Sequence, residues 1–475
     1  MADSVRSKAI KGVMWSAIER FSVQGLQFVL SIIIARLIAP SEYGLIAMLG
    51  IFLVVAQLFV NSGFANALIQ KKERSDTDFS TVFYFNAVIA VLVYILLYCS
   101  APLIAEFYEE PLLRIVTRWV GLNIIFSAFS IVQRTKFTIQ LDFKTQARAS
   151  LLSVILSGGI GIVLAYYGYG VWALVVQSLA NNFINSFLLW ILSDWKPQWI
   201  FSWQSFRGLF SFGSKLLLSG LLSVIYTNLY TLVIGKKYSA TDAGFYNRAY
   251  SLAQFPSVNI TEIITRAIFP IQCELQNDTQ RLETSFIQYL RMACFIIFPL
   301  MTGLAVLAKP LVLVVLTEKW MHAAELLSIL CIAYMWYPVM TLNNQILNVK
   351  GKSDYYLKAE VIKKIIAIGI LIATIPWGTR VLCGGIIIYN LLDCVVAIYY
   401  SKKVIRTGYW QQLKNIIPLF LLSLLMGSIM FSVVMSTTLP MLQLVAGIVA
   451  GISSYVILSY LFHVKEFSFL SSIFT

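Results

Sequence analysis

Fourteen long apolar runs dominate the sequence, and their length constrains the fold more than any other feature. A helix needs about 20 predominantly apolar residues to cross the roughly 30 Å hydrocarbon core of a bilayer, and each run meets that length. Transmembrane strands would alternate polar with apolar residues, which these runs do not. The sequence therefore predicts an all-α polytopic membrane protein with about fourteen transmembrane helices. The runs cover approximately residues 12–38, 43–69, 80–104, 113–139, 147–168, 171–193, 209–235, 242–271, 284–308, 322–348, 357–376, 380–402, 414–436 and 440–463.

Composition excludes the soluble classes of protein. Hydrophobic residues make up 59% of the chain and charged residues 12%, whereas ordinary globular domains carry roughly 25% charged residues. The longest connections between runs lie near residues 193–209, 272–284 and 308–322, and no soluble domain fits into them. Six cysteines without a C-x-x-C pair, together with two histidines, indicate neither a disulfide framework nor a metal site. We expect no catalytic residues, no metal and no resident cofactor.

The net charge of +14 has a simple explanation in a membrane protein. When the connections are assigned alternately to the two sides, roughly four times as many lysines and arginines fall on the side of the two termini as on the other. Cytoplasmic loops carry such an excess and thereby set the orientation of the chain. We therefore expect both termini in the cytoplasm, and no nucleic-acid partner is needed to explain the charge.

Short internal matches indicate a duplication. Ser-Glu-Tyr-Gly at residues 41–44 matches Thr-Asp-Ala-Gly at residues 241–244, and each match offers a Ser/Thr helix cap followed by an acid in the first turn. Gly168 matches Gly378 at a nearly equal offset. Two parallel six-helix repeats are typical of transporters that rock about a central site. The predicted division is an N-terminal lobe at 1–208, a C-terminal lobe at 209–403 and two extra helices at 404–475.

When the basic residues near the ends of the runs are assigned to the adjoining connections, seven remain inside the predicted helices. Charges at that depth are costly and usually face an interior cavity, although long side chains near helix ends also reach back to the interface. Glu262 stands four residues before Arg266, a spacing that pairs the two on one helix face. A cationic cavity would suit a phosphate or pyrophosphate. The predicted substrate-binding cations are Arg20, Lys215, Arg248, Arg266 and Arg291, with Arg36 and Arg118 as further candidates.

Fewer acidic than basic residues lie within the runs. Asp393 is near the middle of its run with Asn390 one turn away, so this pair is the candidate for coupling to a proton or sodium gradient; an interhelical hydrogen bond is the alternative. Asn181 and Asn344 are candidates for contacts to sugar hydroxyls, or for hydrogen bonds between helices. Pro338 predicts a kink inside the run at 322–348.

Several strings resemble those of Wzx-type polysaccharide flippases, in the branch that contains colanic-acid and teichuronic-acid exporters. They are ALIQK at 67–71, STVF at 80–83, GYGVWALVVQ at 168–177, GFYNRAYSLAQFP at 244–256 and EKW at 318–320. The similarity extends over roughly residues 10–400. It implies the multidrug/oligosaccharidyl-lipid/polysaccharide (MOP) exporter superfamily, whose members have two six-helix lobes and work by alternating access. Arg248 lies within one of the matched strings.

The resemblance implies a transporter rather than an enzyme. Its cargo would be a polyprenyl-pyrophosphate-linked oligosaccharide repeat unit, flipped across the bacterial cytoplasmic (inner) membrane during lipopolysaccharide, capsule or exopolysaccharide biosynthesis. The expected partners are this lipid-linked glycan, membrane lipids, and the polymerase and glycosyltransferases of the same pathway, with the chain acting as a monomer. An ion-coupled multidrug exporter of the same fold is one alternative, and it would favour a carboxylate-lined pocket. An integral-membrane polysaccharide polymerase is another, and it would need a sizeable outer loop or a buried histidine.

Overall fold

The computed structural model describes residues 22–61, 64–71 and 73–468, and its regular structure within these ranges is entirely helical. The all-α prediction is therefore confirmed. The helices are α1 (Ser22–Leu37), α2 (Pro40–Asn61), α3 (Phe64–Gln70), α4 (Asp76–Tyr108), α5 (Leu112–Ile139), α6 (Phe143–Tyr166), α7 (Val171–Leu192), α8 (Trp203–Lys237), α9 (Ala240–Glu274), α10 (Thr279–Val306), α11 (Ala308–Val315), α12 (Met321–Tyr334), α13 (Tyr337–Val349), α14 (Ser353–Thr374), α15 (Thr379–Ser401), α16 (Tyr409–Met435) and α17 (Pro440–Leu461).

Within the described residues, each predicted apolar run coincides with one helix or with two consecutive helices. The run at 43–69 corresponds to α2 and α3, and the run at 322–348 corresponds to α12 and α13. The second run is interrupted at Met335 and Trp336, immediately before α13, where Pro338 predicted a kink. Within the described ranges, ten helical segments are long and apolar enough to cross a membrane. The number fourteen stays a prediction.

The stretch at 308–322 is mostly helical, although the sequence indicated a connection. It forms α11 and a 3₁₀ turn at Glu318–Trp320. An eight-residue apolar segment is too short to span a bilayer, so it does not stand out in a search for spanning runs. In the structure Ala308 and Val312 are buried as α11 packs against α12 and α17.

The chain divides into two compact units, the first ending at Gly244 and the second beginning at Phe245. In the first unit, α8 packs against α2, α3 and α4, α4 pairs with α5, and α6 pairs with α7. In the second unit, α15 packs against α12, α13 and α14, while α16 packs against α10 and α17. This division differs from the boundary that the sequence placed at residue 208, and the lobes at 1–208, 209–403 and 404–475 stay a prediction.

Corresponding positions of the proposed repeat have the same local geometry. Helices α2 and α9 begin at Pro40 and Ala240, which are 200 residues apart. Gly168 and Gly378 both have positive φ, 79° and 91°, a conformation that glycine adopts without steric cost. The predicted caps are displaced, because the second helix begins before Thr241: Ser239 Oγ accepts a hydrogen bond from the Asp242 backbone N–H.

The first turns of α2 and α9 cross with their backbones in close approach. A Cβ atom on Gly44 would lie 1.5 Å from the carbonyl oxygen of Ala240, and one on Gly244 would lie 2.0 Å from that of Pro40. No side chain fits at such distances. The two glycines that the sequence matches across the repeat therefore allow this crossing.

Candidate substrate-binding sites

The structure gives the predicted cations different surroundings. Arg20 lies outside the described residues, and so does the side chain of Lys215, whose backbone belongs to α8. Arg36 is exposed near the end of α1. The guanidinium carbon of Arg118 lies 4.2 Å from the ring centroid of Tyr98, a cation–π contact within the first unit.

Arg291 is held in an ion pair that connects α10 to the C-terminal segment. Its Nε and one terminal nitrogen donate to the two carboxylate oxygens of Glu466, the second bond measuring 2.8 Å, and the other terminal nitrogen donates to Asn415 Oδ1 at 3.3 Å. Burial opposes ionisation of Glu466, but the hydrogen bonds from Arg291, a backbone hydrogen bond and the positive charges of Arg291 and Lys465 together hold the pKa of that carboxyl below its usual range. This geometry compensates the charge of Arg291 within the protein.

Arg248 is buried against an aromatic side chain. Its guanidinium carbon lies 5.6 Å from the ring centroid of Trp320, and the ring of Phe245 also packs on that indole, 6.1 Å away. Two of the strings that carry the family resemblance, 244–256 and 318–320, therefore meet in space. The contact gives Arg248 a packing role that the sequence does not indicate.

Arg266 lines a cavity in the second unit. The cavity has a volume of about 550 Å³ between α9, α13, α14 and α15, and Asn344 and Asp393 also face it. One terminal nitrogen of Arg266 donates to Glu262 Oε2 at 3.0 Å, as the spacing of four predicted. Of the predicted cations whose side chains are described, Arg266 is the one that borders this cavity.

A buried lysine that the sequence analysis missed occupies the neighbourhood of Asp393. The side chain of Lys363 is 1% exposed, and its Nζ lies 2.8 Å from Asp393 Oδ1. The same ammonium donates to Asn344 Oδ1 at 3.1 Å and to Glu360 Oε1 at 3.3 Å. The predicted coupling residue is thus paired with a fixed cation. Lys363 stands near the start of the run at 357–376, so the sequence assigns it to the cytoplasmic excess of bases; its place almost three turns into α14 was the available signal.

Asn390 makes the interhelical contact that the sequence left as an alternative. Its Nδ2 donates to the carbonyl oxygen of Ala333 at 2.8 Å, and the side chain is buried. The bond fastens α15 to α12. It belongs to a different set of contacts from the one that holds Asp393.

A second, larger cavity lies inside the first unit and is bordered by α2, α3, α5 and α7. Its volume is about 820 Å³, and a neighbouring cavity of about 370 Å³ shares part of its lining. Asn182 borders both cavities, whereas Asn181, the predicted candidate, borders neither, because successive residues of a helix point about 100° apart. We define the polar ladder as eight of the polar side chains that line these two cavities: Gln57, Asn61, Asn123, Ser127, Arg134, Ser178, Asn182 and Asn185.

A fourth cavity, in the second unit, is apolar. It has a volume of about 570 Å³ between α10, α11, α16 and α17, and residues such as Phe295, Leu307 and Met430 line it. No group of three or more metal-binding side chains of the His, Cys, Asp or Glu type occurs in the part of the chain that the structure describes.

Comparisons with known proteins agree with this architecture. The sequence matches the family described as "Polysaccharide biosynthesis protein" over residues 33–325. The teichuronic acid biosynthesis protein TuaB of Bacillus subtilis (strain 168) is 27% identical over 440 residues, which cover 91% of this chain and 90% of TuaB. The lipopolysaccharide biosynthesis protein WzxC of Escherichia coli (strain K12) is 26% identical over 429 residues, 89% of this chain and 86% of WzxC.

Two solved structures share the fold. An inward closed conformation of the lipid II flippase MurJ superposes with a TM-score of 0.77 at 14% identity, covering 95% of this chain and 99% of MurJ. An inward-facing multidrug resistance MATE family transporter of the MOP superfamily gives a TM-score of 0.61 at 16% identity, covering 82% of this chain and 97% of that transporter. The predicted MOP fold is confirmed. Because the matched region exceeds half of the sequence, this chain belongs to the polysaccharide biosynthesis protein family.

Proposed function

We propose that this protein is a flippase that moves polyprenyl-pyrophosphate-linked oligosaccharide repeat units from the cytoplasmic to the outer leaflet during surface polysaccharide biosynthesis. The observation that carries the proposal is the alignment with TuaB, named for teichuronic acid biosynthesis, over about nine tenths of both chains. WzxC, named for lipopolysaccharide biosynthesis, and MurJ, named as a lipid II flippase, support the same assignment. The proposal includes alternating access, a bacterial inner-membrane location, cytoplasmic termini and a monomer.

The geometry offers a place for each part of such a cargo. The apolar cavity between α10, α11, α16 and α17 suits a prenyl chain, because its largely apolar lining offers van der Waals contacts to hydrocarbon. Arg266, at the edge of the cavity in the second unit, suits a pyrophosphate through its forked donors. Arg248 packs on Trp320 and Arg291 is paired with Glu466, and their contacts to the cargo stay predictions. Arg20, Lys215, Arg36 and Arg118 stay predicted contacts.

A multidrug exporter is the principal alternative, because MATE transporters share the fold. A pocket for cationic drugs would favour carboxylates on its walls. Among the described residues, no Asp or Glu lines either cavity of the first unit, and Arg134 lies on the wall of the larger one. This lining favours a neutral or anionic cargo, and it supports transport of a glycan over transport of a cationic drug.

The test is analysis of lipid-linked intermediates in a deletion strain. If the protein is the flippase, polyprenyl-linked repeat units accumulate in the inner leaflet and surface polysaccharide is lost, and a plasmid copy restores both. A deletion strain with normal surface polysaccharide and no accumulated intermediate would refute the proposal. Resistance to cationic drugs, measured in the same strains, tests the alternative.

A further inference from the structure

The polar ladder follows one face of each of three helices in the first unit. On α5, Asn123, Ser127 and Arg134 recur at helical spacing, and Asn182 and Asn185 do so on α7. From Asn123 to Arg134 the rise along α5 is about 16 Å at 1.5 Å per residue. The faces converge on two adjoining cavities of about 820 and 370 Å³, within the range of about 300–1,000 Å³ that is typical of ligand pockets.

The members of the ladder are hydrogen-bonded to one another between helices. Ser127 Oγ donates to Gln57 Oε1 at 2.9 Å, which connects α5 to α2. Asn182 Nδ2 donates to Asn123 Oδ1 at 2.9 Å, and Asn123 Nδ2 donates to Ser178 Oγ at 2.9 Å, which connects α5 to α7. These bonds fix the orientation of the amides along the cavity walls before any ligand binds.

The amides keep hydrogen-bonding capacity beyond these contacts. A side-chain amide has two donor hydrogens and a carbonyl oxygen with two acceptor positions. Gln57 uses one hydrogen on Asn61 Oδ1 and one acceptor position on Ser127, and Asn123 likewise uses one of each. Both side chains are half-buried on cavity walls. Each of these two amides therefore keeps one donor hydrogen and one acceptor position for a ligand in the cavity.

We infer that the polar ladder is the surface of the first unit that binds the glycan, through hydrogen bonds to sugar hydroxyls. A sugar hydroxyl both donates and accepts, so it pairs best with groups that do the same. Interhelical hydrogen bonds alone would not need a cavity beside them. The inference rests on the proposed function for the identity of the cargo, and it assigns the carbohydrate part of that cargo to a set of residues on α2, α5 and α7 that the sequence alone does not bring together.

The test separates binding of the glycan from binding of the lipid pyrophosphate. The double variant Asn123→Leu/Asn182→Leu removes both members of one hydrogen-bonded pair, so it leaves no lone polar partner between them, and leucine suits a membrane helix. Two probes are titrated calorimetrically into purified protein: the oligosaccharide released by mild acid from the lipid-linked repeat unit of the host strain, and undecaprenyl pyrophosphate without a glycan. We expect the variant to bind the oligosaccharide at least tenfold more weakly than the wild type and to bind undecaprenyl pyrophosphate equally well.

Asn259→Leu is the matched control, because Asn259 in the second unit donates to a carbonyl of its own helix and borders none of the cavities. It should bind both probes as the wild type does. The variant Gln57→Leu/Ser127→Ala removes a separate pair of the ladder and gives a second measurement if the first variant does not fold.

The outcomes keep the two proposals apart. Oligosaccharide binding within twofold of wild type in both ladder variants, or an equal loss for both probes, would overturn the inference, and so would a wild type that does not bind the oligosaccharide. A deletion strain with normal surface polysaccharide would instead overturn the proposed function, whatever the binding data show.

Discussion

Replacing Lys363 with methionine should destabilise the second unit strongly. The side chain of Lys363 is 1% exposed and that of Asp393 is 12% exposed, with their charged atoms 2.8 Å apart. Methionine keeps most of the volume but removes the ammonium, and Asp393 is left buried without its cation. Breaking a buried ion pair by removing one partner costs about 3–5 kcal/mol. We expect a loss of that size in the free energy of unfolding, measured by titration with sodium dodecyl sulfate in mixed micelles.

The double variant Lys363→Met/Asp393→Asn should recover most of that loss. It removes both charges, so no buried charge is left uncompensated, and the uncompensated charge is what makes the removal of one partner costly. Lys364→Met serves as the control, since Lys364 is 38% exposed and its pair with Glu360 spans 3.7 Å, and exposed pairs contribute about 0–1 kcal/mol. A single variant as stable as the wild type, or a double variant as unstable as the single one, would refute the reasoning.

The same pair of variants tests whether Asp393 takes part in coupling. If Asp393 only stabilises the fold, the stable double variant should restore surface polysaccharide in the deletion strain. If the carboxylate exchanges a proton or a sodium ion during transport, the double variant should fold and reach the membrane yet fail to restore it. Because asparagine cannot ionise, the double variant would in that case be stable but inactive in transport.

Three further outcomes follow from individual contacts. Gly244→Ala should reduce the yield of folded protein in size-exclusion chromatography, because its Cβ would lie 2.0 Å from the carbonyl oxygen of Pro40, whereas Gly159→Ala, with open space around it, should not. Glu466→Gln should lower the unfolding temperature at neutral pH. Because the folded-state pKa of Glu466 is lowered, the carboxylate stabilises the protein above its unfolded pKa of about 4.3, and the difference from the variant should shrink as the pH falls below that value. Arg134→Ala, which removes a 3.2 Å bond to Asn185 Oδ1, should reduce the rate of repeat-unit flipping in proteoliposomes about tenfold, equivalent to about 1.4 kcal/mol, and Arg134→Lys should restore part of it.

The helices could be predicted from the sequence because helix formation in a bilayer depends on each segment's own residues. A bilayer requires each spanning segment to satisfy its own backbone hydrogen bonds, so every apolar run of sufficient length must be a helix. The interruption before α13 is local too, since Pro338 lacks a backbone N–H. Helix α11 could not be predicted in this way, because its eight residues are too few to span a bilayer. Its burial depends on contacts with α12 and α17.

The partners of the charged residues could not be predicted, because they are distant in sequence. Arg291 and Glu466 are 175 residues apart, and Lys363 is separated from Asp393 by the whole turn between α14 and α15. The pair Glu262–Arg266, in contrast, lies within one helix and followed from spacing. The polar ladder could be predicted in part. Its spacing on α5 is visible in the sequence, but which face of α5 borders a cavity depends on how α2 and α7 pack against it.

The partners of the buried cations bear on how the protein would bind its cargo. The sequence suggests a cavity with several cations, yet Arg248, Arg291 and Lys363 are engaged by Trp320, Glu466 and Asp393. Binding of a glycan would then depend largely on neutral hydrogen bonds, each contributing about 0.5–1.5 kcal/mol net. Such contacts are individually weak and tolerate different arrangements of hydroxyl groups. A transporter that must release its cargo after each crossing benefits from this weakness, because cargo held by several buried charges would leave slowly.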